Sequence, residues 1–417
     1  MNVTVYPSKL SGSVQAIPSK SMAHRLLICA AMSEGVTRVR CSESSQDIDA
    51  TIACLKAMGS NIVKIGNMYL VPKVTVHAGQ SVVLDCNESG TTLRLMMCVA
   101  AGIGLCARFA GCDRLFERPL TPLTDVLTEH GIVISRDENN RIIQSGRAFG
   151  YDYSITGEVS SQFISGLLLM LPLCGGGNLT VTGKFESKPY VDLTVKALKN
   201  SDVQITEDDR TYSVRGKYDL RDCLVEGDWS NSAFFLASGA LGGDVRLTCL
   251  DKNSAQGDKE ILNLLSEFGA SVAADEKAAT CKGAGLNAIK IDVSNIPDLV
   301  PILAVVSAGA KGKTEITGAS RLKLKESDRL LTVSDMINNL GGKCECTQDS
   351  LVIDGTGELL GGEVDSCNDH RIAMSAAIAA AICKGPVVIK DAQAVNKSYP
   401  KFYEDLQSLG AKIKVEE

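Results

Sequence analysis

Six times along 417 residues a helical run stops at a helix-ending residue and gives way to a β-patterned run. The stops are Gly59 (CLKAMG), Gly131 (VLTEHG), Asn200 (KALKN), Gly269 (LLSEFG), Gly341 (MINNLG) and Gly410 (LQSLG), so successive intervals are 72, 69, 69, 72 and 69 residues. Intervals this even mark an internal repeat. Glycine and asparagine are also the residues that adopt the left-handed C-cap at least cost. Each copy must therefore be the same supersecondary unit, and no copy can bury its apolar face alone.

Each copy holds a second helix, apolar on every side, beginning near Ser21, Thr92, Ser161, Ser230, Asp298 and Arg371. Such a helix has no face to offer water and belongs inside. Short β-patterned runs, such as 36–39, 245–250 and 387–389, lie between the two helices. A copy reads strand, buried helix, strand, amphipathic helix, strand and a further strand. The fold class is α/β, with six helices inside and sheets outside. Three copies enclose one core of about 200 residues, so six predict two similar domains. The period is too long for thin solenoids, whose units run about 20–50 residues.

Composition narrows the class. With 45% hydrophobic and 22% charged residues and a net charge of -6, the chain is an ordinary globular one, poorly suited to nucleic acid as its main partner. Lysines and arginines that cluster in an acidic chain point instead to a local anion site. The fifteen cysteines contain no C-x-x-C pair and read as small buried hydrophobes in a reducing cytoplasm. The longest apolar runs, 95–107 and 372–383, are too short to span a bilayer. Residues 1–10 alternate like a strand and lack the layout of a signal peptide. The expectation is a soluble cytoplasmic monomer with neither nucleic acid nor membrane as partner.

Polar residues that break the pattern fall at two places in each copy. One is the lip of the buried helix: Lys20, Ser21 and Arg25; Glu88 to Arg94; Ser160, Ser161 and Gln162; Glu226, Asp228 and Ser230; Pro297 and Asp298; Asp369, His370 and Arg371. The other is the loop before the amphipathic helix, carrying Glu117 and Arg118, Ser187 to Tyr190, Lys323 to Arg329, and Lys397 to Tyr399. Under pseudo-symmetry, six positive helix ends and a ring of cations face one cleft. A charge pair at about 4 Å gains roughly 4 kcal/mol at an effective dielectric near 20, so a few such pairs hold a multiply charged small molecule. Lys20, in the first turn of its helix, calls for something negative beside it. Glu326 lies between cations that depress its pKa, unless burial raises it enough to deliver a proton. Asp298 follows Pro297 at a helix start, where an N-cap and a general base are equally open readings.

Three signals lead nowhere. Gly102 to Ala107 matches a dinucleotide fingerprint but ends a buried helix instead of following a strand. Gly312-Lys313-Thr314 lacks the glycine that a phosphate loop needs at 307, where serine stands. Four histidines with no paired spacing give no metal site, and His24 and His130 read as packing or surface residues.

Eight segments, in order along the whole chain, carry a resemblance: Pro18-Ser19-Lys20-Ser21 with Arg25, Ser89 to Arg94, Glu117-Arg118-Pro119, Ser160-Ser161-Gln162, Ser187-Lys188-Pro189-Tyr190, Lys325 to Arg329, Asp369-His370-Arg371, and Lys397. Together they resemble the signatures of the 3-phosphoshikimate 1-carboxyvinyltransferase, or EPSP synthase, family. The resemblance implies two domains of three βαβαββ units each, the inside-out α/β barrel. It also implies that the first strand belongs to the C-terminal lobe, dividing the chain into 1–18 plus 227–417 and 19–226 with a cleft between. The implied reaction joins phosphoenolpyruvate to shikimate 3-phosphate and releases phosphate, without metal or cofactor. Shikimate 3-phosphate would be held by Lys20, Ser21, Arg25, Ser160, Ser161, Gln162, Ser187, Tyr190, Asp298 and Lys325. Phosphoenolpyruvate would be held by Lys20, Gly90, Arg118, Gln162, Arg329, Arg371 and Lys397. Asp298, Glu326 and Lys20 would be catalytic, Glu326 protonating the methylene carbon and Asp298 taking the 5-hydroxyl proton.

Departures from the family pattern are Glu88 and Arg321, where many members carry asparagine, His24, also in place of an asparagine, and Leu95, where proline is common. Gly90 implies room for glyphosate. The sister UDP-N-acetylglucosamine enolpyruvyl transferases use a loop cysteine, for which Cys112 is a poor match. A non-catalytic phosphometabolite binder would have no use for Glu326 and Asp298, which add nothing to anion affinity.

Overall fold

In the computed structural model, residues 1–416 are described. The chain forms two compact units, one from Pro18–Val225, the other from Met1–Ile17 with the chain from Glu226 onward. The first unit contains α1 (Lys20–Met32), α2 (Gln46–Ala57), α3 (Gly90–Ile103), α4 (Asp113–Glu117), α5 (Leu123–Glu129), α6 (Ser161–Met170) and α7 (Lys188–Asn200). The second contains α8 (Trp229–Ala240), α9 (Ile261–Phe268), α10 (Val300–Gly309), α11 (Arg329–Asn339), α12 (His370–Ala379) and α13 (Phe402–Ser408).

The apolar-all-round helices are α1, α3, α6, α8, α10 and α12, and nearly every side chain of each is buried. In α8, Trp229, Phe234 and Phe235 are at most 1% exposed, each worth about 2–3 kcal/mol of apolar burial. Helix contacts are close where side chains are absent: a Cβ on Gly166 of α6 would lie 2.7 Å from Cys98 Sγ of α3. Around these helices stand six four-stranded sheets whose strands alternate buried and exposed residues, as sheets with one wet face do. Helices inside and sheets outside, three copies to a unit, make each unit an inside-out α/β barrel.

All six sheets have one topology: a strand parallel to its neighbour, then two antiparallel strands. In the first, Asp222–Leu224 runs parallel to Val36–Arg40, which pairs antiparallel with Met68–Pro72, which pairs with Val63–Ile65. The further strand read from each copy is therefore present. The chain's opening completes two sheets of the second unit. Asn2–Tyr6 is inserted antiparallel between Val387–Lys390 and Lys412–Glu416, and Ser11–Gln15 runs parallel to Asp244–Thr248.

Two boundaries differ from the sequence expectation. Asn200 is the last residue of α7, and the left-handed position falls two residues on, at Asp202, with φ +59°. Short polar side chains bond their own backbone and so tolerate that conformation, aspartate as well as asparagine. The other five stops are glycines at positive φ, as expected. The fifth buried helix starts at Val300, behind a 3-10 turn Pro297–Leu299, so Asp298 lies ahead of the helix proper.

The remaining buried helices share one device at the N-terminus. Ser19, Ser89 and Ser160 accept from the backbone N–H of Met22, Thr92 and Gln162, and Asp228 and Asp369 from those of Asn231 and Arg371. Each cap satisfies an orphan donor and turns the chain sharply, which brings the polar residues to the helix mouths. No helix among the described residues is long and apolar enough to cross a membrane.

Candidate active site

In the unit Pro18–Val225 the mouths of α1, α3 and α6 are stitched together. Arg25 of α1, 2% exposed, donates from Nε to Thr194 Oγ1 at 2.7 Å and from Nη1 to the Ser21 carbonyl at 2.6 Å. Its Nη2 reaches Ser165 Oγ at 3.1 Å and the Tyr190 carbonyl at 2.9 Å. All four acceptors are neutral. Burial lowers the guanidinium to about 10, as for a cation whose counter-charge is not protein. Ser21 and Tyr190 thus act on Arg25 through backbone oxygens. Ser187, before α7, holds a left-handed φ of +55°.

Across this mouth, Arg94 of α3 donates to Gln162 Oε1 at 2.6 Å, and Gln162 Nε2 donates to Thr91 Oγ1 at 2.8 Å. Ser161 is buried beside Gln162, whose N–H is capped by Ser160. Arg118 is also buried, and among the described residues its Nε has no hydrogen-bond partner. Gly90 lies between the two arginines: a Cβ there would stand 2.6 Å from Arg118 Nη1 and 2.9 Å from Arg94 Nη1. Two buried guanidinium groups thus stand at the N-terminus of α3, which Ser89 caps. Arg94, to which the sequence pattern assigned no role, stands beside Gly90 here; it shares that residue's face four residues on.

Lys20 has its anion. Asp47, in the first turn of α2, pairs with its Nζ at 2.8 Å, and both side chains are 15% exposed. His24 fits the packing reading. It is buried, and its Nδ1 is 2.7 Å from Thr51 Oγ1, which lies 2.7 Å from Thr92 Oγ1. Burial first, then Lys20 and Arg25, hold the imidazole well below its usual pKa, so it is neutral at pH 7.

The mouths of α8, α10 and α12 in the second unit have a different character. Asp298 Oδ1 accepts from Lys325 Nζ at 3.1 Å and Arg329 Nη1 at 2.9 Å, and its Oδ2 from Arg371 Nη2 at 3.0 Å. It stands inside the turn Pro297–Leu299, while Ile296 and Leu299 occupy the N-cap positions of that turn and of α10. Burial alone would raise the carboxyl, but Arg371, Lys325 and Arg329 hold it well below the usual carboxylate range. Burial lowers Lys325 despite Asp298 beside it.

Arg329, 1% exposed, is ringed by carboxylates: Asp369 through Nε at 2.7 Å and Nη2 at 3.1 Å, Glu326 at 2.7 Å, and Asp298. Burial opposes its charge, yet Asp369, Glu326 and Asp298 together raise its pKa. Any substrate anion meeting Arg329 must exchange places with one of these carboxylates. Lys397 Nζ donates to the Asn368 carbonyl at 2.7 Å, next to the cap of α12. Asp369 is a central member of this network that sequence reasoning took only for part of a helix lip. One polar mouth therefore sets Arg25 and Arg94 on neutral oxygens beside the Lys20–Asp47 pair, and the other is a buried network of matched opposite charges.

The family model described as EPSP synthase (3-phosphoshikimate 1-carboxyvinyltransferase) matches residues 5–406. This chain belongs to the EPSP synthase family. It is 38% identical over 428 residues to the 3-phosphoshikimate 1-carboxyvinyltransferase of Clostridioides difficile, covering 99% of this chain and 98% of that one. To the enzyme of the same name from Clostridium perfringens it is 40% identical over 421 residues, covering 99% of each. Among solved structures, an EPSP synthase from Acinetobacter baumannii superposes with a TM-score of 0.82 at 25% identity over 100% of both chains. The enolpyruvyl transferase NikO from Streptomyces tendae gives 0.80 at 17% identity, covering 99% of this chain and 98% of that one, a likeness of fold.

Proposed function

We infer that the chain transfers the enolpyruvyl group of phosphoenolpyruvate to the 5-hydroxyl of shikimate 3-phosphate. The oxygen of that hydroxyl adds to C2 of phosphoenolpyruvate while C3 gains a proton. The C2–O bond to phosphate then breaks and C3 returns a proton, leaving the enol ether and inorganic phosphate. Glu326 delivers and recovers the C3 proton, and Asp298 takes the hydroxyl proton. Arg25, with Ser21, Ser160, Ser161, Ser187, Tyr190, Asp298 and Lys325, holds shikimate 3-phosphate, and Lys20 and Gln162 serve both substrates. Gly90, Arg118, Arg329, Arg371 and Lys397 hold phosphoenolpyruvate.

The observation that carries this reading is the grip of Lys325, Arg329 and Arg371 on Asp298, with Glu326 on the same arginine. A protein that only bound anions would gain nothing from carboxylates among its cations. In a transferase the arrangement is useful: arriving phosphate and carboxylate groups compete for the cations, and Asp298 becomes a stronger base as they leave it. As part of the same proposal the enzyme is a cytoplasmic monomer without metal or cofactor, and its fifteen free cysteines suit a reducing compartment. The direct test is phosphate release on mixing: both substrates together give it, and either alone does not. Binding of both without release would leave only a phosphometabolite binder.

A smaller effect follows at Gly90. Gly90→Ala leaves the fold intact, because the atoms a Cβ meets are the far ends of arginine side chains and not backbone. It displaces both guanidinium groups and raises KM for phosphoenolpyruvate about tenfold, the weight of modest overpacking. In the wild type glyphosate competes with phosphoenolpyruvate, and the alanine weakens that inhibition. Steady-state rates in millimolar glyphosate decide it, unchanged wild-type rates speaking against the room assigned to Gly90.

A further inference from the structure

Arg371 is held by more than Asp298. Its Nη2 donates to Ser230 Oγ at 2.8 Å as well as to Asp298 Oδ2 at 3.0 Å. Ser230 lies in the first turn of α8, and its hydroxyl is hydrogen-bonded in turn to the carboxyl group of Asp258, a residue only 3% exposed. Asp258 sits in the short turn Gly257–Glu260 that leads into α9. The preceding residue pair is fixed against the mouth of α8. Gln256 Oε1 accepts from Trp229 N at 3.0 Å, and its Nε2 donates to the Gly227 carbonyl at 2.8 Å and Glu226 Oε1 at 2.9 Å. Trp229 itself donates from Nε1 to the Asp251 carbonyl at 3.0 Å. The turn that carries Asp258 is thus tied to the mouth of α8, and Arg371 meets Asp298 directly and Asp258 through Ser230.

We propose that Asp258 is a positioning residue for enolpyruvyl transfer, holding Arg371 through Ser230 in the orientation that grips the substrate anion and releasing that hold when it takes up a proton. This deepens the function proposed above and rests on it. An ionised Asp258 draws the Ser230 hydroxyl hydrogen to itself, which leaves the hydroxyl oxygen a better acceptor for Arg371. A neutral Asp258 gives up that pull, and the bonds of Arg371 to the Asp298 carbonyl and Oδ2 go unopposed by it. Arg371 settles further onto Asp298, which misplaces the cation for the substrate anion.

The groups facing Asp258 set where the change falls. Asp298 and Asp228 are like charges, Arg371 is opposite, and the Ser230 hydroxyl donates. Burial first, then Asp298, push the carboxyl up to about 6 against the pull of Arg371 and Ser230. The switch therefore lies within the range in which a cytoplasmic enzyme is assayed. Phosphate monoesters also titrate near pH 6, so a bare pH–rate profile would mix substrate and enzyme. The ratio of variant to wild type cancels the substrates.

The experiment measures kcat and KM for phosphoenolpyruvate in the full chain from about pH 5 to pH 8, for wild type, Asp258→Asn and Ser230→Ala, with thermal unfolding of each. Asn reproduces the neutral form. At pH 7.5 and above, kcat/KM of Asp258→Asn is expected at about one-tenth of wild type, mostly through KM, the weight of one charge-assisted hydrogen bond. The ratio climbs toward one as pH falls through about 6, because the wild type loses the same charge. Ser230→Ala gives the same loss at high pH by cutting the link while keeping the carboxyl, and it carries the test alone should the asparagine variant fail to fold. A ratio that is flat with pH in the folded variants, or a loss confined to kcat, overturns the proposal. Absence of phosphate release by the wild type is a different outcome and overturns the function reading instead.

Discussion

Asp298→Ala and Glu326→Gln each lower kcat by about a thousandfold, the weight of general acid–base catalysis. The two variants separate in binding. Removing Asp298 strips the counter-charge from Lys325, Arg329 and Arg371, three cations that then await an anion. KM for phosphoenolpyruvate therefore falls or holds while turnover collapses. Glu326→Gln keeps a hydrogen-bond acceptor for Arg329 Nη2 and leaves KM nearly unchanged. Steady-state phosphate release with both substrates reads both constants. Turnover within a factor of about ten of wild type in the Asp298 variant would remove it as the base.

Asp369→Ala gives the largest loss of stability. Its carboxylate does three things: it caps α12 through the Arg371 N–H at 2.9 Å, holds Arg329 through two donors, and accepts from Ser327 Oγ at 3.0 Å. Arg329 is 1% exposed, so removing its main partner leaves a buried cation short of charge. Breaking such a pair costs about 3–5 kcal/mol, and loss of the cap adds roughly 1 kcal/mol. Asp369→Asn keeps the cap and loses the charge, so its midpoint in urea should fall between those of alanine and wild type. If alanine unfolds at the wild-type urea concentration, the network is ornamental.

Much of this architecture is readable in the sequence because it is repeated. The even spacing of the Gly stops, and the six helices with no polar side, suffice to place helices within and sheets without. The exception is instructive: Asn200 and Asp202 are both acceptable left-handed residues, so propensity alone cannot choose between them, and packing of α7 does. The site was legible as residue types and not as bonds. Arg25 stood out as a cation at a helix mouth, but that it would rest on the backbone oxygens of Ser21 and Tyr190 depends on how three helices meet. Asp369 and Asp258 were hidden for a related reason. A carboxylate at a helix start most often serves as a cap, and it takes the placement of Arg329 against Asp369, and of Ser230 between Asp258 and Arg371, to suggest more.

The sheet containing Asn2–Tyr6 has a consequence for synthesis. Val3 and Val5 pair with Ile389 and Val387 on one side and with Val415 and Ile413 on the other. A ribosome adding about 5–20 residues per second delivers those partners on the order of tens of seconds after the valines themselves emerge. By then Pro18–Val225 has all its strands and is free to fold. Through that interval the opening segment has none of these partner strands, so Val3 and Val5 stay uncovered until the last part of the chain arrives.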